Sequence, residues 1–101
     1  MSRSLAVALF LGLAQVGAVP VISEIMFHPL QPGGGEDPRA EWIEIHNRGF
    51  EPIALAGWAL GGVNYTFSEV SIPGQGYLVV AADEARFRAR YPEVNHVTGG
   101  W

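Results

Sequence analysis

Short segments in which apolar residues alternate with polar ones, or run together, recur along most of the chain. Residues 21–27 (VISEIMF) and 41–47 (EWIEIHN) alternate with the period of two that is typical of β-strands. Residues 53–60 (IALAGWAL), 63–67 (VNYTF) and 77–82 (YLVVAA) are alternating or wholly apolar, and the last of them is typical of a buried strand. The pattern therefore predicts about five short strands.

One segment has a helical pattern instead. Residues 83–91 (DEARFRARY) begin with Asp83, whose side chain can cap a helix, and stop before Pro92, which cannot continue one. Phe87 and Tyr91 are four positions apart, so they form a small apolar stripe on one helix face. We predict a short helix near residues 83–91 whose apolar stripe packs on the strands.

Turn-forming residues separate the predicted strands. The chain has 13 glycines and 7 prolines, and several of them stand in residues 30–40 (LQPGGGEDPRA), 61–62 and 73–76. Gly57 lies inside the third predicted strand, where a glycine indicates a bulge or a close backbone approach. Short strands, frequent turns and one short helix predict an all-β sandwich or barrel.

The period of two also assigns side chains to faces. Odd and even positions of residues 21–27 lie on opposite faces, and in the second strand Trp42 shares its face with Glu44 and His46. Trp42 is therefore the tryptophan most expected to be exposed. We predict that the following residues form the core: Ile22, Ile25, Ile43, Ile45, Leu55, Trp58, Leu60, Phe67, Leu78, Val80 and Phe87.

The start of the chain has the layout of a secretory signal peptide. Arg3 supplies a positive charge, residues 5–14 (LAVALFLGLA) form an apolar run, and residues 16–18 (VGA) offer small side chains for a cut after position 18. The run is shorter than the roughly 20 apolar residues of a membrane-spanning helix. We expect residues 1–18 to be the signal peptide and residues 19–101 to form a secreted or cell-surface chain without a membrane span. A buried N-terminal helix is the alternative.

Composition excludes several classes of protein. Because the chain has no cysteine, it cannot form a disulfide scaffold, a thiolate zinc site or a cysteine nucleophile. Its net charge of −4 argues against a nucleic-acid binder, which normally has a basic face. With 49% hydrophobic and 16% charged residues, the chain is not a disordered acidic tail.

Three groups of segments together resemble one known family. They are VISEIMFHP (21–29), EWIEIHNRG (41–49) with IALAGWAL (53–60), and IPGQGYLVVAAD (72–83) followed by FRARYP (87–92). In order and spacing they resemble the lamin tail domain as found in secreted bacterial proteins, over residues 21–101. The resemblance implies an immunoglobulin-like β-sandwich and a non-catalytic module. In that family the module is often attached to a secreted or surface protein beside other domains, such as a spore-coat kinase-like domain or a secreted nuclease.

The chain departs from the family pattern at two places. Ser68 and Glu69 stand where the family often has a turn of the Pro-Gly type. The family also continues past Gly99, Gly100 and Trp101 with a Leu-Ser-Asn-x-Gly-Glu stretch and closing strands, which this chain lacks. We therefore expect a truncated domain with its C-terminal strands missing, and an open sheet edge of that kind invites pairing with another chain.

Two groups of polar residues are candidate metal ligands. Glu24, Glu44 and His46 could form a zinc site if the first two strands are neighbours, and polar residues on the solvent face of a sheet are the alternative. The acidic loop over residues 36–41 offers oxygen ligands for calcium, with a solvated loop as the alternative. Because neither group has an established ligand spacing, we expect no metal, no cofactor and no catalytic residue.

Aromatic residues are candidates for carbohydrate contact, because exposed rings can stack on sugars. The alternative for each of them is core packing. The candidate residues are Trp42, Trp58, Trp101, Tyr65 and Tyr77. A weak Gly-x-Gly at residues 74–76 precedes a strand instead of opening a helix, so its context does not fit a phosphate loop.

These observations predict a secreted, non-catalytic binding or structural module of the lamin-tail type, at the N-terminal end of a larger extracellular protein. Its expected partner is a protein or another domain of the same polypeptide, with cell-surface carbohydrate as a further possibility and no nucleic acid. Two alternatives remain open at this point. One is the targeting end of a secreted enzyme whose catalytic domain lies downstream; the other is a metal-dependent hydrolase that uses Glu24, Glu44 and His46.

Overall fold

A computed structural model of the chain describes residues 10–11, 20–26, 34–35 and 37–101. A 3₁₀ turn spans Pro38–Ala40, and the helix α1 spans Glu84–Arg90. The strands in chain order are β1 Phe10–Leu11, β2 Pro20–Met26, β3 Trp42–Asn47, β4 Ile53–Ala54, β5 Ala59–Leu60, β6 Tyr65–Thr66, β7 Ser71–Ile72, β8 Tyr77–Ala81 and β9 Val97–Gly99.

The larger layer is a four-stranded sheet in the order β2-β3-β8-β9. β3 is antiparallel to both β2 and β8, whereas β9 lies parallel to β8 because α1 connects them. Within this sheet Ile45 lies opposite Leu78, and Ile43 lies opposite Val80. Since paired residues share a face, these side chains form one apolar surface.

The second layer is an irregular hairpin. β4 pairs with β7 and β5 pairs with β6, and the amide of Leu55 donates to the carbonyl oxygen of Val70 at 2.8 Å between the two pairs. The predicted strand over residues 53–60 is interrupted because the carbonyl of Leu55 accepts from the amide of Trp58, which closes a tight turn. Gly57 has a φ of +84° at the third position of this turn, a conformation that favours glycine.

The hydrophobic core lies between the two layers. The arrangement confirms the predicted all-β fold with one short helix and is consistent with an immunoglobulin-like β-sandwich. The buried members of this core are Ile43, Ile45, Ile53, Leu55, Trp58, Leu60, Val63, Phe67, Ile72, Leu78 and Val80. Ile22 packs against the core from β2 and remains partly exposed.

A bulge in β2 corrects the predicted faces of that strand. Ile22 pairs with Ile45, but the next pairs are Glu24 with Glu44 and Ile25 with Ile43, so Ser23 is an extra residue. The bulge places Ile22 and Ile25 on the same face, although their spacing alone assigns them to opposite faces. The prediction that Ile25 belongs to the core is nevertheless wrong, because Ile25 remains 38% exposed on an edge strand of the sheet.

Helix α1 covers one end of the outer sheet face. The carboxylate of Asp83 accepts a hydrogen bond from the amide of Arg86 at 3.1 Å, as the predicted cap requires. Phe87 is buried in a second apolar cluster with Val79, Ala81 and Val97. No helix in the described part of the chain is long and apolar enough to cross a membrane.

Candidate functional site

The three candidate zinc ligands, Glu24, Glu44 and His46, lie along the outer face of the four-stranded sheet. Glu24 stands directly opposite Glu44, and the hydroxyl of Ser23 donates to Glu44 Oε1 at 2.8 Å. His46 Nε2 donates to the carbonyl oxygen of Gln75 at 3.2 Å. Among the residues that the structure describes, no three histidine, aspartate or glutamate side chains are grouped so that they could hold a metal ion. The structure therefore makes Glu24 and Glu44 neighbours, but it does not group them with His46 as the candidate zinc site requires.

In the part of the acidic loop that the structure describes, the carboxylate of Asp37 contacts other groups of the protein. The buried carboxylate of Asp37 forms an ion pair with Arg86 and accepts a hydrogen bond from the amide of Arg39 at 3.2 Å. Glu41 is buried at the start of β3, and Glu36 lies outside the described residues. Asp37 is thus engaged by protein groups that stabilise the loop.

Four of the five aromatic candidates are buried or partly buried against apolar clusters of the described chain. Trp58 is buried in the core, and both Tyr65 and Trp101 pack against that core. Trp42, the tryptophan most expected to be exposed, is partly buried, because its ring makes edge contacts with Phe87 at 5.8 Å and Tyr91 at 6.1 Å between ring centres. The helix covers Trp42, an arrangement that strand periodicity alone does not reveal.

Exposed rings do occur at one end of the sandwich, where the turn after β3 meets the turn before β8. Phe50 is 86% exposed and Tyr77 is 50% exposed. The imidazole of His46 stacks on the Tyr77 ring, with ring centres 4.2 Å apart and 13° between the planes. We name this surface the aromatic end, defined by His46, Phe50, Gln75 and Tyr77.

Asn47 supports the aromatic end from below. Its side chain is fully buried, and the two hydrogens of Nδ2 are shared among the carbonyl oxygens of Glu51 at 2.8 Å and of Ile72 and Pro73 at 3.1 Å each. Its Oδ1 accepts from the amide of Gly49 at 2.9 Å. One side chain therefore joins the two turns, because it satisfies polar backbone groups in both of them.

Gln75 forms a second connection between the same turns. Its amide donates to the carbonyl oxygen of Gly49 at 2.8 Å, and its side chain donates to that of Arg48 at 2.7 Å. Gly74 lies so close to the other turn that a Cβ on it would stand 2.1 Å from the carbonyl oxygen of Phe50. The aromatic end thus rests on two turns that are bonded together: Phe50 lies on the first turn, and His46 and Tyr77 stand at the strand ends that the turns follow or precede.

Sequence reasoning missed most of this surface. The alternating pattern places Asn47 at the end of the second predicted strand, residues 74–76 form only a weak Gly-x-Gly, and no motif includes Phe50. A usable signal is the isolated position of Phe50, between the turn glycine Gly49 and the charged Glu51, with Pro52 next. The hydrogen bonds that join the two turns cannot be predicted from neighbouring residues, because the turns are far apart in the sequence.

An open depression of about 460 Å³ lies elsewhere on the hairpin layer. The residues that line it are Ala54, Ala56, Glu69, Val70, Ser71 and His96. His96 Nε2 donates to the carbonyl oxygen of Ser71 at 2.7 Å, so this nitrogen is engaged in holding the wall of the depression. The sequence pattern contains no signal for it.

Three comparisons with known proteins gave one match. No curated protein and no solved structure matches the chain. The family model of the Lamin Tail Domain matches residues 14–100, which is most of the chain. The chain therefore belongs to the lamin tail domain family, whose members are immunoglobulin-like domains without enzymatic activity.

Proposed function

We propose that this chain is a secreted, non-catalytic binding or structural module that acts as part of a larger extracellular protein. Family membership supports the non-catalytic role, because the matched model covers most of the described sandwich. The layout of residues 1–18 supports export.

The observation that carries the binding role is the pair of exposed rings at the aromatic end. When a partner buries Phe50 and Tyr77, this chain loses little backbone entropy, since Asn47 and Gln75 already fix the two turns. Protein interfaces are enriched in aromatic anchors of this kind, and a polar rim usually surrounds them. The partner proposed for this surface is therefore another protein, or another domain of the same polypeptide.

The polar side chains near this surface support the same conclusion. His46, Asn47 and Gln75 each donate a hydrogen bond to a main-chain carbonyl oxygen of the neighbouring turn. These bonds hold the two turns in register and leave the rings as the accessible chemistry. The geometry thus favours contact with a partner over proton transfer.

Export is tested by expressing the chain in a bacterial host and measuring the mass of the exported product. We expect a product that begins at Val19, because residues 16–18 fit a signal-peptidase site. The control is Ala18→Arg, which places a large charged side chain at the cut and should retain the leader. A chain of full mass that remains inside the cell would contradict the proposed localisation.

Binding at the aromatic end is tested with a photo-reactive phenylalanine analogue at Phe50 of the exported protein. The matched control carries the same analogue at Ala85, which is exposed on α1, away from the two turns. We expect covalent adducts with protein, within the same polypeptide or with a second one, at position 50 only. Equal yields at both positions would contradict the assignment, and a sugar adduct at position 50 would replace the protein partner by carbohydrate.

A further inference from the structure

The outer side of β5 is occupied by a segment that precedes the family match. β1 lies antiparallel to β5, with Phe10 opposite Leu60 and Leu11 opposite Ala59. These residues belong to the apolar run of the predicted leader, and the matched region begins only at residue 14. The domain therefore offers a strand edge that a residue pair from outside the matched region fills.

Hydrogen bonds elsewhere in the hairpin show which group of β5 faces this edge. The amide of Phe67 donates to the carbonyl oxygen of Trp58 at 2.8 Å, so that carbonyl points towards the β6 side. Successive residues of a strand direct their polar groups to opposite sides. The N–H and C=O of Ala59 therefore face away from β6, towards Leu11.

Core packing fixes the position of β5. Trp58 and Leu60, on either side of Ala59, are both buried in the main core. The backbone at Ala59 is thus presented by a fixed element. A fixed strand with unpaired polar groups is a template for a further strand.

We propose that the outer side of β5 is a strand-acceptor site. In the full chain Phe10–Leu11 occupies it, and removal of the leader opens it to an extended apolar segment of a polypeptide of different sequence. Only this second step rests on the proposed export, since the acceptor itself depends on β5. The apolar character of the partner follows from that of residues 5–14, the run that supplies the present occupant.

The first test is amide hydrogen exchange measured by NMR on the full chain. In the variant Leu11→Pro residue 11 has no N–H to donate to the carbonyl oxygen of Ala59, and the proline ring disfavours strand pairing, so β1 should leave the edge. The Ala59 amide then also loses the carbonyl oxygen of residue 11 as its acceptor, and we expect it to exchange at least about tenfold faster. The Leu60 amide serves as an internal reference, because it faces β6. The matched control is Ser4→Pro, which places a proline in the same leader outside the paired residues. An unchanged Ala59 rate in Leu11→Pro, or an equal rise in Ser4→Pro, would overturn the proposal.

The second test is fluorescence anisotropy with a labelled peptide of residues 5–14 that carries a lysine tail for solubility. We expect it to bind the Leu11→Pro chain and the exported, cut chain, and not the unaltered full chain. The control peptide has proline in place of Leu11, and equal binding of both peptides would overturn the proposal. A dimer of cut chains with a protected Ala59 amide would make a second copy of this chain the occupant, and it would overturn the assignment to a polypeptide of different sequence.

These tests separate the two proposals. A failure of export or of cleavage would remove the proposed function, but the exchange rates and the peptide titration of the Leu11→Pro chain would still decide the acceptor site. Conversely, normal export with an unprotected Ala59 amide in the full chain would remove the acceptor site and leave the proposed function in place.

Discussion

The carboxylate of Asp37 forms an ion pair with the guanidinium group of Arg86 and so ties the 3₁₀ turn to helix α1. The Asp37 side chain is 8% exposed and that of Arg86 is 40% exposed. The same carboxylate caps the 3₁₀ turn through the amide of Arg39. This contact stabilises the helix in the position from which Phe87 and Tyr91 cover Trp42.

A double-mutant cycle should measure this ion pair. We expect Asp37→Ser and Arg86→Ala to be coupled by about 0.5–1 kcal/mol, because Arg86 remains partly hydrated and solvent screens the pair. Serine keeps an oxygen that can cap the 3₁₀ turn, so the cycle reports mainly on the charge. Urea unfolding at low and high salt gives the free energies, and the coupling should fall as salt increases. Coupling as large between Asp37→Ser and Arg48→Ala would show that the effect is not specific to the pair.

The buried amide of Asn47 should be a large local contribution to stability. Asn47→Ala leaves the carbonyl oxygens of Glu51, Ile72 and Pro73 without this donor, and we expect the free energy of unfolding to fall by about 3 kcal/mol. Asn47→Asp should also destabilise, since it replaces the donor by a buried charge. Urea unfolding measures both variants against Asn95→Ala, at an exposed position. Equal stability of Asn47→Ala and Asn95→Ala would show that the turns are held by other contacts.

The sequence was sufficient to predict the elements whose cause is local. Alternation identified β2 and β3, the apolar run identified β8, and the pair Asp83 and Pro92 bounded α1. Each of these signals depends on neighbouring residues, so no knowledge of the tertiary fold is needed to use them.

The features that sequence reasoning missed depend on partners that are distant in the chain. The bulge at Ser23 is defined by register against Glu44, and the cover over Trp42 comes from a helix that begins at Glu84. The aromatic end exists because Asn47 bonds to carbonyl groups of a turn that lies much later in the sequence. Strand periodicity specifies a face, but it does not specify what packs on that face.

Alanine substitutions at Gly74 and Gly57 should lower the free energy of unfolding by different amounts, because the first creates a steric clash and the second only an unfavourable φ. A Cβ at position 74 would lie 2.1 Å from the carbonyl oxygen of Phe50, so Gly74→Ala must push the two turns apart. At Gly57 a Cβ meets nothing within 4 Å, and the cost there is only that of a φ of +84°. We expect Gly57→Ala to lower the free energy of unfolding by about 1–2 kcal/mol and Gly74→Ala by more.

NMR chemical shifts distinguish the two glycine variants further. Gly74→Ala should shift the amides of Gly49 and Gln75 at the aromatic end, whereas Gly57→Ala should leave these two amides in place. A Gly74→Ala protein with unchanged stability and unchanged shifts at these amides would contradict the close packing of the two turns.

The two aromatic residues Trp58 and Phe50 should separate stability from binding. Trp58 is buried in the core, so Trp58→Ala should lower the free energy of unfolding by about 3–5 kcal/mol through lost burial and the cavity left behind. Phe50 is 86% exposed, so Phe50→Ala should change it by less than about 0.5 kcal/mol. Urea unfolding measures both values.

The Phe50→Ala protein should then be exported and folded as usual, and a second photo-reactive analogue at Tyr77 should lose its protein adducts in that background. Adducts at Tyr77 that persist at full yield without the Phe50 ring would contradict a shared binding surface, whereas an unchanged unfolding transition in Trp58→Ala would contradict the position of the core itself.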